Sequence, residues 1–179
     1  DEVREVTKEL RDLDREDKKR VEEATKRLRD LNEEDKRLVK KVADDLREDL
    51  KRIRERLERN KEKKEDLERL IKEIEEKLEK IKRDNDKTIR ESRRTTEELR
   101  RENRKTIEDS RRRVKEIRDR GVLTEEVEKE NERSVKKSEE DLKRVKDEDE
   151  ESVKESRKAV REVEEELRKR LKELREELK

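Results

Sequence analysis

The residues that could do chemistry in this chain are Asp, Asn, Ser and Thr side chains that recur at helical spacing. Asp14 and Asp17 stand three residues apart, so both carboxylates would project from one side of a helix. Paired carboxylates can carry out acid–base catalysis, and carboxylate-lined helical bundles can hold two metal ions. Such metal sites also use His at Glu-x-x-His spacing, and the sequence contains neither His nor Cys. We therefore expect no enzyme activity, no catalytic residue, no metal site and no cofactor.

Hydrogen bonding inside a protein core suits these side chains better. An ionised Asp only accepts hydrogen bonds, whereas Ser, Thr and Asn can also donate them. We predict a structural polar core made of Thr7, Asp14, Asp17, Thr25, Asn32, Asp35, Asn85, Thr88, Ser92, Asn103, Thr106, Ser110, Ser134, Ser138, Ser152 and Ser156. The alternative is that some polar residues, above all Asp14, Asn131 and Asp149, lie at the wet margin of a narrow core.

Helices would have to position these side chains. Apolar residues recur every three or four positions, as in Val3, Val6 and Leu10, which is typical of a helix packed in a bundle rather than of a solvated single helix. Gly121 followed by Thr124 indicates a helix end and an N-cap. Asn60 marks a weaker break. We predict one bundle over 1–179, with helices over about 2–59, 63–120 and 124–178, each about 57 residues and ~85 Å long.

An 18-residue repeat runs within each predicted helix. Val21 recurs as Val39, Asn85 as Asn103, and Ser134 as Ser152. Eighteen residues complete about five turns of a straight α-helix, whereas a heptad repeat imposes a left-handed supercoil. The fold class that we predict is therefore all-α: an antiparallel, up-down-up three-helix bundle that is nearly untwisted.

The polar residues are distributed unevenly along this repeat. They come early in the first and third helices and late in the second, so an up-down-up arrangement would gather them near the second turn. One predicted cluster places Asp14 and Asp17 near Asn103, Thr106, Ser110, Ser134 and Ser138. The other places Asn32 and Asp35 near Thr88, Ser92, Ser152 and Ser156. Because an unpaired buried polar group is costly, such clusters would favour a single register of the three helices.

The composition is far from that of an average globular protein. Charged residues make up 66% of the 179 residues, and Pro, Cys, Met, His, Phe, Tyr and Trp are all absent. An alphabet restricted to helix formers and aliphatic core residues is typical of designed proteins. With its repeat and its recurring Asn, Ser and Thr, the whole chain resembles de novo designed, parametric, untwisted helical bundles with modular buried hydrogen-bond networks. The resemblance implies a structural scaffold without a natural function. Because some such bundles are cages or heteromer components, it leaves a binding module as the alternative.

Charge and hydropathy give little reason to expect a partner. The net charge is +1, and the basic stretch Arg100–Arg120 lacks the aromatic residues that stack on nucleic-acid bases. No apolar run approaches the ~20 residues that cross a bilayer, and the initial DEVREVTKEL has no signal-peptide pattern. No second apolar face remains. We expect a soluble monomer, cytoplasmic in recombinant expression, that binds neither nucleic acid nor membrane, with a helical partner chain as the alternative.

The uneven distribution predicts uneven stability. The apolar end of the bundle should protect its backbone amides longest in native-state hydrogen exchange, because its opening exposes the most apolar surface. Amides in residues 1–36 and 120–156 should exchange sooner. Equal protection along all three helices would contradict this prediction.

Overall fold

The computed structural model describes residues 2–59, 63–121 and 125–179. They form three α-helices, α1 (Glu2–Glu58), α2 (Lys64–Asp119) and α3 (Glu125–Glu177), and the described residues contain no β-strand. The predicted all-α, three-helix fold class is confirmed. Asn60 and Thr124, the predicted break and N-cap, lie outside the described residues.

The helix ends have charges that suit the helix dipole. Acidic residues occupy the first turn of each helix and basic residues the last, as with Glu65 and Arg118 of α2. Beyond α2, Gly121 has a φ of 74° and donates its backbone N–H to the carbonyl of Arg118 at 3.0 Å. L-residues that carry a side chain rarely adopt this left-handed backbone conformation, so a glycine is well suited to ending the helix here.

Each helix contributes to two compact units. The first unit combines Asp1–Asp30 with Glu91–Glu151. Within it, Arg113 of α2 pairs with Glu9 of α1 at 2.7 Å, and Arg20 approaches Glu102 at 3.8 Å. Because residue numbers rise along one helix as they fall along the other, α1 and α2 are antiparallel in this unit.

The second unit combines Leu31–Arg90 with Ser152–Lys179. Ion pairs join α1 to α3 in parallel, since Arg47 pairs with Glu166 and the later Arg54 with the later Glu177. Pairs between α2 and α3 run the opposite way, with Arg168 bound to Glu79 and Arg175 to Glu75. The helices of this unit therefore run up, down and up.

An apolar core fills most of the second unit. Its buried members are Val39, Leu46, Leu50, Ile53, Leu67, Ile71, Ile74, Leu78, Ile81, Val160, Leu167, Leu171 and Leu174. Leu46, Ile71 and Leu167, one from each helix, have no exposed surface. Full burial of one such side chain contributes roughly 1.5–3 kcal/mol. The core therefore provides strong but non-directional stabilisation.

The first unit has a smaller apolar cluster. Leu28, Leu99 and Val145 form its buried centre, and Val21, Ala24 and Leu142 pack against them. Buried polar residues occupy other inward positions of this unit, including Asp17, Asn103 and Ser138. A larger share of its interior therefore depends on hydrogen bonds.

Leu46→Ala should lower the free energy of unfolding by about 2–5 kcal/mol, because it removes a fully buried side chain and leaves a cavity. Leu38→Ala is the matched control, since Leu38 lies on the same helix in the same unit but is 51% exposed. Its cost should stay below about 1 kcal/mol. Urea denaturation followed by circular dichroism measures both, and equal losses would contradict the described core.

Candidate functional site

Three buried side chains from three helices form a hydrogen-bonded triad in the first unit. Asn103 of α2 donates its amide to Asp17 of α1 at 2.9 Å and also to the hydroxyl of Ser138 on α3. The Ser138 hydroxyl donates to the second carboxylate oxygen of Asp17. The carboxylate thus receives two donors, which offset the loss of its hydration.

The second unit contains an equivalent triad, and each of its residues lies 18 positions from a member of the first. Asn85 donates to Asp35 at 2.8 Å and to the hydroxyl of Ser156, while Ser156 donates to Asp35 at 2.6 Å. All three side chains are buried. The two triads therefore join the same three residue types by the same donor–acceptor pairs, and we call this set the hydrogen-bond module. They differ at the carboxylate, since Asp17 accepts one bond on each oxygen and Asp35 accepts both on Oδ2.

The partners of Asp35 differ in one detail from those predicted. We expected Thr88 and Ser92 to be its neighbours on α2, but the amide donor is Asn85, about one turn earlier. Thr88 is half-buried and donates to the carbonyl of Asp84 in its own helix. Ser92 donates instead to Asp149.

Asp14 lies at the edge of the first unit's core. It is half-buried and accepts a hydrogen bond from the Ser134 hydroxyl at 2.5 Å. Asn131, beside it in a small cavity between α1 and α3, is also half-buried. Asn32 and Ser152, which occupy the positions equivalent to Asp14 and Ser134 in the repeat, are half-buried in the second unit.

Several of the expected core hydroxyls bond to their own helix. Thr7 and Thr25 donate to carbonyls four residues earlier, and buried Ser110 donates to the carbonyl of Ile107. Buried Thr106 donates to the Glu102 carbonyl and accepts a hydrogen bond from Arg20 at 2.7 Å. In such local bonds the hydroxyl donates its proton within its own helix, so that proton forms no hydrogen bond to another helix.

Among the residues that the structure describes, two buried polar side chains were absent from the polar core predicted from the sequence. Thr95 is buried and donates to the Glu91 carbonyl. Asp149 is 5% exposed and accepts hydrogen bonds from Ser92 and Thr96, both at 3.4 Å. The signal for Asp149 was its place on the inward stripe of α3, four residues after Val145. Burial raises the pKa of its carboxyl group, although Ser92, Thr96 and the positive charge of Arg93 act in the opposite direction.

The basic stretch near the end of α2 is engaged in ion pairs. Arg113 binds Glu9 and Glu116, and Arg118 binds Glu128 of α3. Two of these pairs are interhelical, since Arg113 with Glu9 joins α2 to α1 and Arg118 with Glu128 joins α2 to α3. Exposed pairs of this kind contribute little to stability, because water and salt screen the charges.

Among the described residues, no group of three or more Asp or Glu side chains is placed to hold a metal ion. Within the same ranges, no helix is long and apolar enough to span a membrane. Where the buried polar side chains of the two modules bond to each other, their hydrogen bonds connect different helices.

Asn103→Ala should lower the free energy of unfolding by about 3–5 kcal/mol, because the buried Asp17 carboxylate loses its amide donor. Asn131→Ala removes the same side chain from a half-buried position of the same unit and should cost much less. Chemical denaturation compares the two variants. Equal effects would show that the amide of Asn103 is not specifically required.

Comparisons with known proteins point to the same architecture. No protein-family model matches the sequence, and no curated protein sequence matches it. The chain is similar to a solved structure described as a computationally designed three helix bundle. The TM-score is 0.77 at 18% identity, and the match covers 99% of this chain and 92% of the other. At this level of identity the likeness shows the fold alone, which is that of a three-helix bundle.

Proposed function

We propose that this chain is a designed structural scaffold in which hydrogen-bond modules and apolar segments specify helical-bundle geometry, without a natural function. The observation that carries the proposal is the repetition of the hydrogen-bond module. Asp17, Asn103 and Ser138 form it once, and residues 18 positions away on every helix form it again. Both copies contain the same three residue types.

The repetition requires the three helices to be in phase. One coincidence of side chains could arise by chance in a polar core. Two triads of the same three residue types need the same 18-residue period in α1, α2 and α3, with α2 running against the others. A modular building plan explains this regularity, and the solved three-helix bundle that shares the fold is itself a computationally designed protein.

The surface grooves fit a structural role as well. A cavity of about 570 Å³ lies between α1 and α3 in the second unit, with Arg47 in its lining. Arg47 pairs with Asp44 and Glu166, and its hydrogen bond lowers the pKa of the Glu166 carboxyl group. A carboxylate held ionised in this way is a poor general acid. The role that we propose for Glu166 is therefore a structural contact between α3 and α1.

An exchange of modules tests the proposal directly. The third position of the repeat is apolar, with Ile53, Leu67 and Leu174 where the modules have Asp, Asn and Ser. The triple variant D35I/N85L/S156L, which copies that apolar set into the second module, should fold with the same helical content. Its free energy of unfolding should equal or exceed that of the wild type, because replacing a whole polar network by apolar residues removes the desolvation cost.

The single variant N85L is the matched control. It leaves the Asp35 carboxylate buried without its amide donor and should lose about 3–5 kcal/mol of stability. A triple variant that fails to fold, or a single variant as stable as the wild type, would contradict a modular core. Light scattering over a range of concentrations accompanies both measurements. A monomer at all concentrations supports the scaffold, whereas self-association supports the alternative, a binding module that takes up another helix.

A further inference from the structure

Asp149 differs from the module aspartates in what surrounds its carboxyl group. Its Oδ2 atom accepts hydrogen bonds from Ser92 and Thr96, while its buried Oδ1 atom has no hydrogen-bond partner among the described residues. We propose that Asp149 is a proton-binding site, and that protonation of its carboxyl group stabilises the first unit as the solution is acidified.

The comparison with Asp17 in the same unit makes the difference clear. Asp17 receives an amide donor at 2.9 Å and a hydroxyl donor, one on each carboxylate oxygen. Asp35 of the other module receives both donors on its Oδ2 atom, but at 2.8 and 2.6 Å. The two donors of Asp149 are hydroxyl groups on one oxygen, and both lie at 3.4 Å. Hydrogen bonds of that length are weak, so they offset little of the cost of burying a charge. The neutral acid avoids that cost.

The charges around Asp149 do not remove the problem. On α2, Arg93 attracts the carboxylate, and on α3 the neighbouring Glu150 repels it. On α1, the parallel register places Arg29 and Asp30 at the level of Asp149, and both are exposed. Burial is the largest influence, and the pKa of Asp149 lies above its ordinary value.

The repeat gives independent support. Eighteen residues before Asp149, the equivalent position of α3 is Asn131, an uncharged side chain of nearly the same shape. The repeat therefore already accepts a neutral residue at this position. A protonated aspartate resembles that asparagine in size and charge.

The direction of the pH effect follows from the raised pKa. Above the pKa of the folded state, Asp149 is ionised in both the folded and the unfolded chain, and the folded state bears the cost of the buried charge. Below the ordinary pKa of an aspartate, both states are protonated and the cost is absent. The stabilisation of the folded state that protonation of Asp149 provides is therefore fully present in acid, and it is lost as the pH rises through the folded-state pKa of Asp149.

The first experiment is a titration of the full chain followed by NMR of the side-chain carboxyl ¹³C resonances. Asp147 serves as the internal reference, because it lies on the same helix and is exposed. The titration midpoint of Asp149 should lie above that of Asp147. A midpoint equal to or below that of Asp147 would overturn the proposal.

The second experiment compares the unfolding constants of the wild type, Asp149→Asn and Asp147→Asn at several pH values. The ratio of the wild-type constant to that of D149N should fall on acidification, by a factor of ten for each pH unit that separates the folded and unfolded midpoints of Asp149. The ratio to D147N should change little. A D149N ratio that is independent of pH, or that rises on acidification, would overturn the proposal even if every variant folds.

Discussion

A carboxylate that is buried in a protein must find hydrogen-bond donors, and this requirement governs the interior of the chain. Asp17 and Asp35 each lie in a core, and each receives its donors from side chains on the two other helices. Removing one partner of a buried charge typically costs about 3–5 kcal/mol. All three helices must therefore have the right rotation and axial position before either carboxylate can be buried without a large loss.

Apolar and polar core residues divide the work between them. Leu46, Ile71 and Leu167 contribute stability through burial, which depends on area and only weakly on direction. The hydrogen-bond module contributes a modest net energy, but its bonds have narrow limits of distance and angle. The first unit, with its smaller apolar cluster, depends more on directional hydrogen bonds. The second unit depends more on the burial of apolar side chains.

The sequence was enough to predict the helices and the kinds of residue in the core. Spacing of three and four residues is a local property of a helix, so helical structure could be predicted from it, and the breaks at Asn60 and Gly121 gave the number of helices. The partner of Asp35 could not be predicted from the sequence, because the choice between Asn85 and Thr88 depends on an axial offset of about one turn between two helices. The burial of Asp149 was left open for a similar reason. Whether water reaches an inward residue depends on side chains of the other helices.

The apolar triad Ile53, Leu67 and Leu174 has a consequence that the modules alone could not produce. Two modules of the same composition would not by themselves oppose a displacement of α2 by one whole repeat, about 27 Å, since Asn103 would then meet the partners of Asn85. That displacement would bring Asn85 against Ile53 and Leu174, and the opposite one would bring Leu67 against Asp35. Both errors bury a polar group without a partner. The apolar third repeat therefore distinguishes the observed axial position of α2 from the positions displaced by one repeat.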